Sequence, residues 1–167
     1  AEWPTASGPA DYVLFYGMVA VAAVEAKRHN IDVGGKIGQA ERYSSDITVK
    51  EFELAESAPW GGFKIPFVYS TNGRPYSRSL LEKSGIHFRD VRLPTNHKRA
   101  LEGWHSPAVL ADMLNRDTKA ADRKLAKTKV DLPGIRDYQV DAIRAVERSL
   151  ASGAQTALVA MATGTGK

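Results

Sequence analysis

Two strand-like segments joined by a glycine turn constrain the fold of this chain most strongly. Residues 11–16 read Asp-Tyr-Val-Leu-Phe-Tyr, which is rich in aromatic and β-branched residues, and Val19 to Lys27 is a second, largely apolar segment. Gly17 and Met18 lie between them. This pattern predicts an antiparallel hairpin, although Ala20, Ala22 and Ala23 in the second segment leave a short helix open there.

The hairpin would bring acidic residues together at one end. Pairing about Gly17 and Met18 places residues opposite each other when their numbers sum to about 36, so that Asp11 faces Glu25. Lys27 shares the face of Glu25, because alternate residues of a strand point the same way. Two carboxylates and the backbone carbonyl of Ala26 are oxygen ligands of the kind that Mg²⁺ prefers. The spacing therefore predicts a magnesium site for phosphate chemistry, in which Lys27 orients a water or offsets negative charge. Because Glu-Ala-Lys is a common tripeptide, chance occurrence stays open from these residues alone.

The remaining periodicity indicates an α/β protein. Helices are predicted over residues 36–44, from Ser106-Pro107 through Leu114, and over residues 137–150. Further strands are predicted over residues 63–70, 86–93 and 156–161. This order of elements favours a mixed sheet flanked by helices, followed by the beginning of a second domain.

Positive charge is concentrated in the middle of the chain, where residues 89–130 hold ten Lys and Arg residues against five acids. We call these ten residues the basic block: Arg89, Arg92, Lys98, Arg99, Arg116, Lys119, Arg123, Lys124, Lys127 and Lys129. Such a block can neutralise nucleic-acid phosphates, but a solvated helical face explains it equally well.

Composition excludes several classes of function. The chain has no cysteine, which excludes disulfides, cysteine-ligated zinc and thiol catalysis. No apolar run approaches the ~18 residues of a membrane span, and no signal peptide is visible, so a cytoplasmic setting without membrane partners is expected.

A glycine-rich loop, Ala162-Thr163-Gly164-Thr165-Gly166-Lys167, follows the last predicted strand. In such loops backbone N–H groups approach phosphate oxygens, and the lysine reaches the β- and γ-phosphates. Met161 stands where the strict phosphate-loop pattern has glycine, and the sequence stops before the Ser or Thr that would hold magnesium. We therefore interpret the chain as a fragment of a longer protein and expect it not to hydrolyse ATP by itself.

Four segments together resemble one known family: residues 8–14 (Gly-Pro-Ala-Asp-Tyr-Val-Leu), 24–27 (Val-Glu-Ala-Lys), 39–43 (Gln-Ala-Glu-Arg-Tyr) and 69–73 (Tyr-Ser-Thr-Asn-Gly). They resemble the nuclease domain of the restriction (R) subunit of type I restriction-modification enzymes, within the PD-(D/E)xK nuclease superfamily. The resemblance implies that Asp11 and Glu25 bind Mg²⁺, that Lys27 completes the catalytic set, and that Gln39 and Tyr43 form an accessory motif beside it. These folds normally have a helix before the Asp strand; only ten residues precede Asp11, so we expect that helix to be missing.

The segment Arg136-Asp137-Tyr138-Gln139 resembles the element that precedes the first motif of superfamily 2 helicases. By this resemblance Gln139 would contact adenine, with Arg136 nearby. The ATP phosphates would be bound by Thr163, Gly164, Thr165, Gly166 and Lys167. The end of the chain would then be the first helix, strand and phosphate loop of a RecA-like motor domain.

These observations predict a nuclease-like domain (1–95), a basic helical connector (96–130) and the start of a helicase domain (131–167). The resemblance implies an Mg²⁺-dependent, ATP-driven, DNA-cleaving and DNA-translocating subunit that assembles with modification and specificity subunits on double-stranded DNA. Two alternatives stay open. One is a non-nucleolytic superfamily 2 helicase or remodeller whose first domain only binds DNA, and the other is a scaffold that only docks partner subunits.

Overall fold

The computed structural model describes residues 2–154, 156–162 and 164. The chain divides into two compact units, residues 1–115 and 116–167. The division falls inside segment 96–130, which the sequence predicts as a connector. The predicted phosphate-binding residues Thr163, Thr165, Gly166 and Lys167 lie outside the described residues.

The predicted hairpin is confirmed. Strand β1 (Tyr12–Tyr16) pairs antiparallel with β2 (Val19–Ala26), and Gly17 adopts a φ of 60° in the turn between them. Such a positive φ favours glycine. Tyr12 lies opposite Val24 in the predicted register, and the pairing shifts by one residue after Leu14. The second segment is therefore a strand, which removes the helical alternative.

The hairpin extends into a five-stranded mixed sheet of order β1-β2-β3-β4-β5, as the predicted α/β class requires. Strand β3 (Phe67–Thr71) pairs parallel with β2, and β4 (Ile86–Asp90) and β5 (Arg99–Ala100) follow in antiparallel order. Parallel neighbours need a crossover connection, and helix α1 (Ile37–Asp46) provides it between β2 and β3.

The core lies on both faces of this sheet. On one face α1 packs through Ile37, Ala40 and Tyr43. On the other, Leu110 of helix α2 (Pro107–Asn115) packs against a cluster that includes Phe67. Residues 67–70 of β3 are all buried, as expected for a central strand covered on both faces.

Three details of the first unit differ from the sequence-based expectation. Strand β3 begins at Phe67 rather than at residue 63, because Pro66 has no N–H and the N–H groups of Lys64 and Ile65 donate to Ser44. Strand β4 ends at Asp90, whose carboxylate accepts the N–H of Arg92 in a turn. The two-residue β5 was not predicted, since so short a strand has no periodicity.

The second unit contains helix α3 (Thr118–Lys127) and helix α4 (Asp137–Ala151), and the guanidinium of Arg144 on α4 donates to the carbonyl of Thr128 just after α3. The predicted strand over residues 156–161 is wrong. Residues 156–162 have no regular secondary structure, and the Leu158 side chain is 96% exposed. A strand requires a neighbouring strand, and none of the described strands or bridges includes residues 156–161.

Across the described ranges, no helix combines the length and the apolar character needed to cross a membrane.

Close backbone packing at Gly85 gives a stability prediction. The Gly85 carbonyl accepts the N–H of Asn72 and the hydroxyl of Thr71, and a Cβ at Gly85 would overlap the backbone of Arg74. We expect Gly85→Ala to lower the free energy of unfolding by about 1–3 kcal/mol, measured by denaturant titration. Gly35→Ala is the matched control, because a Cβ there meets nothing within 4 Å. Equal effects of the two substitutions would contradict this prediction.

Candidate active site

The structure brings Asp11, Glu25 and Lys27 together at one end of the hairpin. Oδ2 of Asp11 accepts the N–H of Ala26 at 2.7 Å, which fixes Asp11 beside the end of β2. The Lys27 ammonium forms an ion pair with Oε1 of Glu25. The backbone N–H of Lys27 donates to the carbonyl of Thr71 at 2.7 Å, so the neighbouring strand β3 holds Lys27 in place.

Glu25 is the most unusual polar residue in the described structure. Its exposed fraction is 0%, and neither carboxylate oxygen accepts a hydrogen bond of regular geometry from a described residue, although Lys27 lies against Oε1. Burying a carboxylate is costly unless it is paired and hydrogen-bonded. A bound cation would satisfy these oxygens, so the residues present fit a divalent metal.

The chemistry of the donor set favours Mg²⁺. Asp11 and Glu25 offer carboxylate oxygens, and Ala26, the last residue of β2, offers a backbone carbonyl next to Glu25. Among the described residues, no group of three or more His, Cys, Asp or Glu side chains is arranged to hold a metal ion. A set of few oxygen ligands suits Mg²⁺, which keeps several of its waters.

Gln39 and Tyr43 of α1 lie beside this site. Nε2 of Gln39 donates to the Tyr43 hydroxyl at 2.5 Å, and only 5% of Tyr43 is exposed. Burial raises the pKa of the Tyr43 hydroxyl, the nearby Glu25 and Asp11 carboxylates act in the same direction, and the Gln39 hydrogen bond acts against them. The tyrosine therefore stays protonated at neutral pH.

Lys27 stays charged in this environment. Its close contact with the Glu25 carboxylate raises the pKa of the ammonium, burial opposes this, and the negative charges of Glu25 and Asp11 add to the increase. A protonated lysine at this position can offset negative charge or orient a water, but it cannot act as a general base.

Two polar residues lie beside Glu25 on the neighbouring strands of the sheet. Ser70 of β3 pairs with Glu25, and His87 of β4 pairs with Ser70. Ser70 donates to the carbonyl of Val33 at 2.7 Å, and only 5% of His87 is exposed. Sequence reasoning missed both residues; a polar side chain within an otherwise apolar buried strand was the available signal.

The buried His87 predicts a pH dependence of stability. Burial lowers the pKa of its imidazole, the charge of Lys98 adds to this, and hydrogen bonds with the backbone of Glu82 and Ser84 oppose it. Below the unfolded pKa of about 6.5 the unfolded chain binds a proton that the folded chain rejects, so stability falls as the pH decreases from there toward the folded pKa.

In denaturant titrations at successive pH values, we expect His87→Gln to reduce the slope of the free energy of unfolding against pH by at most about 1.4 kcal/mol per pH unit. The control substitution is His29→Gln, which replaces an exposed histidine of the same chain. An unaltered slope in His87→Gln would refute this account.

The predicted ATP-binding residues lie in the second unit. Gln139 accepts the N–H of Arg136 through Oε1 at 3.0 Å, so its side chain caps the start of α4, and Nη1 of Arg136 donates to the Tyr138 hydroxyl at 2.8 Å. Gln139 also lines a mostly apolar cavity of about 560 Å³, together with Leu132 and Ile143. Gly164 is exposed with a φ of 78°.

The basic block divides into two groups. In the first unit, Arg89 pairs with Glu41, Arg92 pairs with Asp90, and Lys98 donates to a backbone carbonyl, so these cations have structural partners. In the second unit, Arg123, Lys124 and Lys127 lie on the exposed surface of α3. Exposed helical cations fit both phosphate binding and a solvated face.

Comparisons with known proteins place the chain in a family. The family model described as the type I restriction enzyme EcoKI endonuclease subunit second domain matches residues 1–114, and a second model, the type III restriction enzyme res subunit, matches residues 133–167. The type I restriction enzyme EcoKI endonuclease subunit of Escherichia coli (strain K12) is 41% identical over 196 aligned positions. That alignment covers all of this chain but only 17% of the relative's length.

No solved structure matches the chain. The first family model alone covers more than half of the chain, and its match spans the whole five-stranded sheet, α1 and nearly all of α2. The first unit matches the second domain of the type I restriction enzyme endonuclease subunit, and the chain thus belongs to the family of that subunit.

Proposed function

We propose that the first unit cleaves DNA by Mg²⁺-dependent hydrolysis of phosphodiester bonds, as part of a type I restriction endonuclease subunit. The observation that carries this proposal is Glu25, a fully buried carboxylate without a regular hydrogen bond beside Asp11 and Lys27. A structural role alone gives no reason to bury this charge, because an apolar residue of similar volume would be cheaper.

Asp11, Glu25 and the carbonyl of Ala26 would hold the metal. When bound, Mg²⁺ would stabilise the negative charge that develops on the phosphate under attack and lower the pKa of a coordinated water. Lys27, which stays protonated, would orient the attacking water or offset charge on the phosphate. Gln39 and Tyr43 would act as the accessory motif, because the Tyr43 hydroxyl can donate toward the acidic pair.

The fold of the first unit supports assignment to the PD-(D/E)xK superfamily. A strand hairpin carries the acids and the lysine, a helix crosses over, and a parallel strand follows beside the lysine strand. We regard this assignment as part of the proposal.

The second unit is proposed to begin a RecA-like motor domain. The match of residues 133–167 to a restriction-enzyme res subunit supports this, as does the position of Gln139 beside an open apolar cavity of a size suited to a nucleobase. ATP would be bound by Arg136, Gln139 and the glycine-rich loop over residues 163–167, and the complete protein would translocate DNA.

Proposed partners are double-stranded DNA and the modification and specificity subunits of a type I restriction enzyme. The decisive experiment is Mg²⁺- or Mn²⁺-dependent cleavage of plasmid DNA by the full-length protein, supplied with ATP and these subunits, in wild type and in Asp11→Ala and Lys27→Ala. Loss of cleavage with ATPase activity retained supports the proposal. Cleavage that survives both substitutions, or is never observed, refutes it in favour of a helicase whose first domain only binds or docks.

A further inference from the structure

The loop between β2 and α1, residues 27–36, is held by side chains from distant parts of the first unit; we call it the connecting loop. Its carbonyls at positions 29, 31, 33 and 34 each accept a side-chain hydrogen bond of 2.6–2.7 Å. The donors are Arg74, Asn72, Ser70 and Lys98, in that order. A loop that relied on solvent for its hydrogen bonds would not need four such donors.

Gly34 occupies the tightest position in this loop. Nζ of Lys98 reaches its carbonyl at 2.7 Å from 64 residues further along the chain. On the other side, a Cβ at Gly34 would lie 3.0 Å from Cε1 of His87, which is buried and belongs to strand β4. Gly34 is therefore held between the His87 ring and the Lys98 ammonium, and the loop has little room to move there.

Gly34 lies only three residues before α1, which begins at Ile37. The N–H of Lys36 donates to the carbonyl of Val33, and the N–H of Gln39 donates to the carbonyl of Lys36. These successive bonds link the connecting loop directly to the first turn of the helix. A shift at Gly34 would therefore displace Gln39 and Tyr43 relative to the Glu25–Lys27 pair.

We propose that Lys98 is a positioning residue for the nuclease site, and that it fixes the connecting loop rather than contacting DNA phosphate. This inference rests on the proposed nuclease function. The ammonium of Lys98 supplies a charge-assisted hydrogen bond to one carbonyl, which is stronger than a neutral one, and so anchors the segment that carries α1. Sequence alone left the role of Lys98 open, since the basic block fits both phosphate binding and a solvated face.

The test uses the full-length protein with its partner subunits. Lys98→Met keeps the length of the side chain but removes its donors, and we expect a 10- to 100-fold lower single-turnover cleavage rate, roughly the effect of misplacing catalytic groups by an ångström. The DNA dissociation constant and its salt dependence should not change. Lys98→Arg should restore most of the rate, because the guanidinium keeps the donors.

Two further variants separate positioning from charge. Gly34→Ala changes no charge but pushes the loop away from His87, so it should reduce the cleavage rate without altering DNA affinity. Lys83→Met is the matched control, because Lys83 binds the same loop only through an exposed ion pair with Asp32, which Arg74 also holds. This control should retain nearly wild-type cleavage.

Measurements of DNA affinity and cleavage rate separate a positioning role of Lys98 from a direct contact with phosphate. A phosphate contact by Lys98 would make Lys98→Met weaken DNA binding and lower the slope of log affinity against log salt by about 1, which would overturn the proposal. Unchanged cleavage in Lys98→Met would overturn it as well.

Hydrogen exchange over residues 31–39 gives a readout that does not depend on nuclease activity. Exchange there should accelerate in Lys98→Met, and unchanged exchange would count against positioning. If this acceleration occurs while the wild type fails to cleave, the positioning role stands and the proposed nuclease function fails.

Discussion

Lys27→Met is expected to reduce DNA cleavage by the full-length protein by about 10²–10³-fold, the effect typical of removing one preorganised group that stabilises developing charge. Methionine keeps the length and the apolar stem of the lysine but lacks its ammonium. Because the Glu25 carboxylate keeps Lys27 protonated, the lost contribution is a positive charge beside the phosphate. Cleavage of plasmid DNA, with ATP and partner subunits present, measures the effect.

ATP hydrolysis should continue in the same Lys27→Met preparation, because the proposed ATP site belongs to the other compact unit. This internal control shows that the second unit is intact in the variant preparation. Lys83→Met provides a second control, since it removes the same charge from an exposed ion pair. Cleavage at the wild-type rate in Lys27→Met would mean that the hairpin is not the nuclease site, and loss of both activities would indicate a defect in folding or assembly.

The second large effect concerns metal binding and stability. A ligand that binds only the folded state stabilises it by about 2.7 kcal/mol at 100 times its dissociation constant. We therefore expect Mn²⁺ or Mg²⁺ to raise the free energy of unfolding of the first unit by about this amount at such a concentration. Denaturant titrations of the chain with and without metal measure it, with K⁺ at equal ionic strength as the control.

Glu25→Gln should abolish that metal response. Glutamine has nearly the same shape but no charge, and its amide is cheaper to bury than a carboxylate. The metal-free variant is therefore expected to be at least as stable as the metal-free wild type while it fails to cleave DNA. Asp32→Asn, which removes an exposed acid, should keep the full metal response. A metal response that persists in Glu25→Gln would contradict the assigned site.

Sequence reasoning was most successful where structure is local. The hairpin follows from the two-residue period of strands and the position of Gly17, so a convergence of Asp11, Glu25 and Lys27 at its end could be predicted, although the one-residue shift after Leu14 could not. The pairing of Gln39 with Tyr43 follows from helical spacing in the same way.

Sequence reasoning failed where partners are distant. The hydrogen bond from Lys98 to Gly34 spans 64 residues, and no sequence pattern around either residue predicts it. The role of Lys98 therefore stayed open in the sequence, where it was one cation of the basic block. Residues 156–161 have the composition of a strand, but composition supplies no neighbouring strand to accept its hydrogen bonds. The start of β3 was misplaced because Ser44 binds the residues that precede Pro66.

The topology of the sheet also orders events in folding. The contacts of the β1–β2 hairpin are close in sequence, so its formation costs little loop entropy and hairpins of this kind form in about 1–10 μs. The parallel pairing of Ala22 with Phe67 must close a much longer loop, and contacts of this kind slow folding. Asp11, Glu25 and Lys27 therefore meet early in a hydrated hairpin, and Glu25 loses its water only when β3 and α1 dock. Desolvation of that carboxylate is then a late step of folding. A cation that neutralises the carboxylate would lower the folding barrier that remains at that step.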